Sequence, residues 1–298
     1  VPGCVTAPTF DSSNQRIMDR KTFLKTSLLG AGGLAAGISA AGNSAEVVGT
    51  NHINVKNPEL MENAVLHRAN TRGVADLGWL KSKHTFSFSH YHNPERMNFG
   101  VLRVLNDDIV APGMGFGRHP HADMEIISIP LEGDLLHQDS MGNKTIIKRG
   151  DVQVMSAGTG VEHSEYNANK DREVRFLQIW IIPNKRSVTP RYDQITLTDA
   201  KNTLSQILSP NADDEGVWIH QDAWFHLGRF TDTTTVPYSV KKSGNGVYVF
   251  VLKGNAIVNQ QDLSERDGYG IWNADKIEIT ASADSELLVM DGPMKQSL

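Results

Sequence analysis

The chain has 298 residues, 39% hydrophobic and 21% charged, enough for a packed core and against wholesale disorder. Its 29 Lys and Arg stand against 34 Asp and Glu, a net charge of −5, which argues against a broad nucleic-acid-binding face. A single cysteine, Cys4, excludes an internal disulfide, a Cys-ligated zinc site and an iron–sulfur cluster, so metal chemistry falls to the eleven histidines.

Residues 1–50 read as a leader. Met18 precedes Asp19-Arg20-Lys21-Thr22-Phe23-Leu24-Lys25, and a small, apolar run follows over 26–41. A basic start, an apolar middle and small residues near a cleavage point are the parts of a secretory signal. The run is too rich in Gly and Ala for a membrane span. The basic pair before Phe-Leu-Lys resembles a twin-arginine export signal, with Arg20-Lys21 in place of two arginines. It implies a periplasmic or exported protein, or a cytoplasmic one if the leader does not function. Cleavage after Ala45 removes four basic and two acidic residues, leaving 25 against 32, a net −7 and no cysteine.

Beyond the leader the pattern is all β. Strands are expected at 99–104, 125–130, 151–156 and 175–182, separated by glycine-bearing turns. A linker over 183–190 leads to a second β-rich stretch with strands at 246–253, 255–258, 269–272, 276–280 and 286–291. Short strands without a long helical pattern predict two sandwiches or barrels, one over 67–188 and one over 191–293.

The chemistry sits in the first of these. On a strand, residues i and i+2 share a face, so His119 and His121 aim two imidazoles at one point, and His163 and Glu165 add two ligands from a second strand. Three neutral nitrogens and one carboxylate suit a first-row divalent metal; Fe(II) is favoured, with Mn, Co, Ni, Cu and Zn open. Four protein ligands on an octahedral ion leave two positions for substrate and dioxygen. Glu125 reads either as a group near the metal or as a strand-end carboxylate satisfied by backbone. His137 reads as part of a strand end and turn, with a place in the cavity as the alternative. Phe86, Phe88, Met114 and Phe116 are expected to line the barrel mouth. His220 and His226, with no paired carboxylate, read as structural.

Gly113-x5-His119-x-His121-x3-Glu125 matches the first cupin motif, with Gly133 one residue later than the pattern expects. The second motif runs from Gly150 through Gly160-x2-His163-x3-Asn167, with Ser156 where the pattern has Pro. More specifically, 117–125, 138–143, 155–167 and 178–181 resemble pirin and the pirin-like bacterial quercetinases, and the likeness extends over about 67–293. That resemblance implies two cupin barrels facing each other, with a metal only in the N-terminal one. It implies His119, His121, His163 and Glu165 as ligands and a monomer acting as a dioxygenase on a small aromatic substrate such as quercetin. Glu165, as an anionic ligand, is also the residue expected to accept the substrate's hydroxyl proton. The alternative is a non-catalytic, metal-binding or redox-sensing cupin that regulates through protein partners. Neither reading involves direct nucleic-acid binding or a membrane.

Overall fold

Several strands of this chain read as unbroken apolar runs because they are buried on both faces, and their position follows from that. The computed structural model describes residues 63–296, so the leader expected over 1–50 lies outside the described residues. The first half holds β1 (Ala64–His67), β2 (Gly73–Asp76), β3 (Leu80–His84), β4 (Leu102–Val110), β5 (Gly115–His121), β6 (Glu125–Glu132), β7 (Asp134–Asp139), β8 (Lys144–Lys148), β9 (Asp151–Ser156), β10 (Val161–Asn167) and β11 (Val174–Ile181). The second holds β12 (Arg191–Thr196), β13 (Thr203–Ser209), β14 (Val217–Trp218), β15 (Trp224–Phe230), β16 (Thr234–Ser239), β17 (Asn245–Lys253), β18 (Ala256–Val258), β19 (Gln261–Leu263), β20 (Gly268–Trp272), β21 (Lys276–Ala281) and β22 (Ser285–Pro293). Among the described residues the helical content is one 3-10 turn, Ala69–Thr71.

Each half builds the same pair of layers. A seven-stranded sheet ordered β12-β9-β6-β11-β4-β3-β2 closes over the four-stranded sheet β5-β10-β7-β8. The second barrel repeats this with β1-β20-β17-β22-β15-β13-β14 over β16-β21-β18-β19. The strands exchange across the expected boundary. β1 pairs with β20, Ala64 opposite Ile271, and β12 pairs with β9, Arg191 opposite Ser156. A division at 188 and 191 therefore differs from the sheets, since apolar spacing marks which residues are buried but not against which partner strand.

The two seven-stranded sheets pack back to back. Ile127, Ile129, Val152, Val154, Leu177 and Ile179 from the first barrel share one core with Phe225, Tyr248, Phe250 and Leu288 from the second. The alternate residues of the same strands turn into the first barrel. On β11, Leu177, Ile179 and Ile181 face the shared core while Phe176, Gln178 and Trp180 face inward. This is why β6, β9 and β11 are covered on both sides.

Candidate metal centre

β5 and β10 run antiparallel with His119 directly opposite His163. The next paired residues are Phe116 and Glu165, three positions along β5 against two along β10, so β5 carries a bulge at Gly117-Arg118. The bulge sets the chemistry of His119. Its Nδ1 lies 2.7 Å from the carbonyl oxygen of Gly117, and donating there leaves Nε2 bare as a lone-pair donor. Across β10, His163 faces Asp139 and Glu165 faces His137 on β7.

The three imidazoles converge. Ring centroids of His119, His121 and His163 lie 4.4–4.9 Å apart, and one nitrogen from each falls within 4.8 Å of the others. His119 and His163 are buried; His121 is half-buried, with its Nε2 itself enclosed. Nitrogen donors gathered this closely around one point, one of them with its tautomer set by the bulge, fit a first-row divalent ion. Glu165 follows His163 by two residues on β10 and lies outside this group of three. It is fully buried, and its Oε1 accepts hydrogen bonds from Ser128 Oγ at 3.1 Å and Gln178 Nε2 at 3.2 Å.

Two neighbours of the imidazoles carry little sequence signal. Trp180 packs its indole edge-on against His121, with centroids 5.0 Å apart, and is inward-facing on β11. His137 lies inside the barrel, 5.4 Å from His163 and 4.8 Å from Tyr192 by ring centroid, which favours the cavity reading over a surface turn. Its Nε2 donates to Asp139 Oδ2 at 3.1 Å. Asp139 also accepts from the backbone of Met141 and Asn143 and from the Asn143 side chain. Burial pushes the Asp139 carboxyl up, but the hydrogen bonds from Asn143 and His137 outweigh it and hold the group below its usual range. Burial raises the Tyr192 phenol to about 12, so it stays a neutral donor to Gln194.

Glu125 does not join the metal ligands. It leaves β6 on the face turned to the second barrel, where Ser156 Oγ donates to it at 2.6 Å and the His220 backbone N–H also contributes. Burial lifts its pKa to about 7. Three of the four apolar residues expected at the mouth lie elsewhere, and Phe88 packs in one cluster with Val161 beside it. Phe86 is in the shared core, Phe116 and Met114 pack near Trp79, and Phe88 packs against Trp180. The open cleft at His121, about 410 Å³, is bordered instead by Pro120, Ala122, Ser140, Val161 and Glu162. His226 is buried beside Tyr238 in the second barrel, its pKa lowered to about 4 by burial, as a structural imidazole would be. Among the described residues the His119, His121 and His163 group is the one cluster of this kind, and it lies in the first barrel.

With this geometry established, comparison with known proteins gives a consistent answer. Residues 66–181 match the family model described as Pirin, and 206–291 match the Quercetinase C-terminal cupin domain. A quercetin 2,3-dioxygenase of Escherichia coli strain K12 is 44% identical over 228 residues, covering 76% of this chain and 98% of that protein. A pirin-like protein of Caulobacter vibrioides is 41% identical over 222 residues, 74% of this chain and 95% of its own. The crystal structure of a bacterial pirin from Escherichia coli in complex with nickel(II) superposes with a TM-score of 0.74 at 43% identity, covering 77% of this chain and 99% of that one. Two barrels of matching layout, a histidine cluster confined to the first, and this extent of similarity place the chain in the pirin family.

Proposed function

We propose that this protein is a metal-dependent dioxygenase of the quercetinase type, which opens the heterocycle of a flavonol or a similar hydroxylated aromatic with dioxygen and releases carbon monoxide. The observation that carries this reading is the meeting of three imidazoles, one of which, His121, borders an open cleft, with the buried carboxylate of Glu165 two residues along β10 from His163. His119, His121, His163 and Glu165 would hold the ion. When bound, it supplies Lewis acidity toward the substrate's 3-hydroxyl and lowers that group's pKa.

The chain's own residues do the rest. Glu165, the buried carboxylate of the set, is the residue that takes the hydroxyl proton. Trp180 holds the His121 ring edge-on and keeps that imidazole aimed inward. A cleft of about 410 Å³ is within the size range of small-molecule sites and admits a flat ring system past Pro120, Ala122 and Val161. The acidic balance of the chain suits a small-molecule enzyme acting alone rather than a nucleic-acid partner. The test is oxygen uptake and carbon monoxide release by the protein loaded in turn with Fe(II), Ni(II), Mn(II) and Co(II) and given quercetin. Turnover with at least one metal is expected. Full occupancy with every metal and no consumption of oxygen would favour the non-catalytic, sensing alternative.

A further inference from the structure

The interior of the first barrel is apolar along most of its length. Val104 and Ile126 lie toward one end, and Val110 and Phe176 toward the other. Between them runs a polar rung, with the buried pair Ser82 and Asp108 one level further along β3 and β4. Along one line of cross-strand pairs stand His84 on β3, Asn106 on β4, Gln178 on β11, Ser128 on β6, Gln153 on β9 and Gln194 on β12. The first five are buried, and each buried polar group carries a desolvation cost of about 1–3 kcal/mol unless it is satisfied. Their concentration at one level is therefore informative, and that level is the one Glu165 reaches from the opposite sheet.

The contacts at the middle of the rung close a triangle. Ser128 Oγ and Gln178 Nε2 both donate to Glu165 Oε1, at 3.1 and 3.2 Å, and Gln178 Nε2 lies 3.1 Å from Ser128 Oγ. Ser128 and Gln178 are direct cross-strand partners in the centre of the seven-stranded sheet, whereas Glu165 belongs to the four-stranded one. Two donors thus converge on one oxygen of one carboxylate, across the barrel, beside the imidazole cluster.

We propose that Ser128 and Gln178 are positioning residues that tie Oε1 of Glu165 to the seven-stranded sheet and so fix the orientation in which the carboxylate meets a metal at the imidazoles. The inference rests on the reading of Glu165 as part of the metal centre. A carboxylate held in this way would take one coordination position instead of two, which would keep room for both substrate and dioxygen. Hydrogen bonds to the outer oxygen of a ligating carboxylate characteristically control ligand orientation, and their loss costs about 10–100-fold in metal affinity.

The test uses Co(II), whose visible absorption reports coordination number and donor set. The full-length protein and its Ser128→Ala, Ser128→Thr, Gln178→Leu and Glu165→Gln variants are titrated with Co(II) against a chelator, and thermal midpoints of the metal-free forms serve as fold controls. Ser128→Ala and Gln178→Leu are expected to weaken Co(II) binding by about 10–100-fold and to change the visible spectrum, while Ser128→Thr, which keeps the hydroxyl, retains both. If Glu165→Gln alters affinity and spectrum but Ser128→Ala and Gln178→Leu match the parent in both, the positioning role is overturned and Glu165 keeps its place at the metal. If Glu165→Gln itself leaves both unchanged, the reading of Glu165 fails and the inference falls with it. Lowered thermal midpoints with parental Co(II) binding would make the rung structural only, which also overturns the proposal. Should Gln178→Leu not fold, the Ser128→Ala and Ser128→Thr pair decides alone.

Discussion

Glu125 shows how one residue's role depends on where the chain crosses between sheets. His121 ends β5 in the four-stranded sheet and Glu125 begins β6 in the seven-stranded one, with Asp123 between them at a φ of 47°. Strand alternation cannot be carried through such a turn, so the four-residue spacing from His121 does not say which way Glu125 points. The pairs His119 with His121 and His163 with Glu165 each lie within one strand, and there the spacing did report a shared face. Buried against the second barrel with a pKa near 7, Glu125 keeps its proton in the folded chain at pH values where the unfolded chain has lost it. The folded state therefore binds the extra proton between about 4.5 and 7, and stability falls as pH rises through that window. Glu125→Gln removes this titration. It is expected to raise unfolding free energy at about pH 8 by up to about 3 kcal/mol and to change little at about pH 4, measured by urea melts at both values. The same variant is expected to keep its metal, and loss of metal would return Glu125 to the first barrel's site.

At the scale of elements, the site depends on how closely β5 lies on β10. A Cβ at Gly115 would come within 2.2 Å of the Glu165 carbonyl oxygen and 2.5 Å of Tyr166 Cα, both backbone atoms that cannot swing aside. Gly115→Ala is therefore expected to push the start of β5 away from β10, costing about 1–3 kcal/mol of stability and weakening metal binding through the displaced bulge. Thermal unfolding and a metal titration check both parts; parental values in each would show that the close approach is not needed. The same strands explain what could be read in advance. β6, β9, β11, β17 and β22 carry dense aliphatic runs because they lie between two cores, and those positions were visible as strands. β5, β7, β10 and β12 are built largely from Gly, His and other polar or charged residues, so hydrophobic spacing gives little sign of them. Trp180 was legible as a strand residue but not as the neighbour of His121, because that contact joins two sheets.

For the whole molecule, the shared core and the exchanged strands make the two barrels one folding unit. Phe250, fully buried on β17, packs in the same cluster as Ile127 and Leu177 of the first barrel. Phe250→Ala is expected to destabilise by about 3–5 kcal/mol. Because β1 and β12 each lie in the other half's sheet, far-UV circular dichroism and tryptophan fluorescence should follow one coincident transition in parent and variant. Two separated transitions would mean that the barrels unfold independently despite the shared core. That each half forms a β barrel is legible from its short strands and glycine-bearing turns, while the seven-over-four layering and the exchange of β1 and β12 are not, since pairing partners leave no mark on local composition.

The imidazole cluster is the centre of the proposed chemistry, and elemental analysis of the purified protein beside its His119→Ala and His163→Ala variants tests it. A divalent transition metal near stoichiometry in the parent, and its loss from both variants while the far-UV spectrum stays that of a β protein, is the predicted result. Metal retained at the parental level in either variant would contradict it.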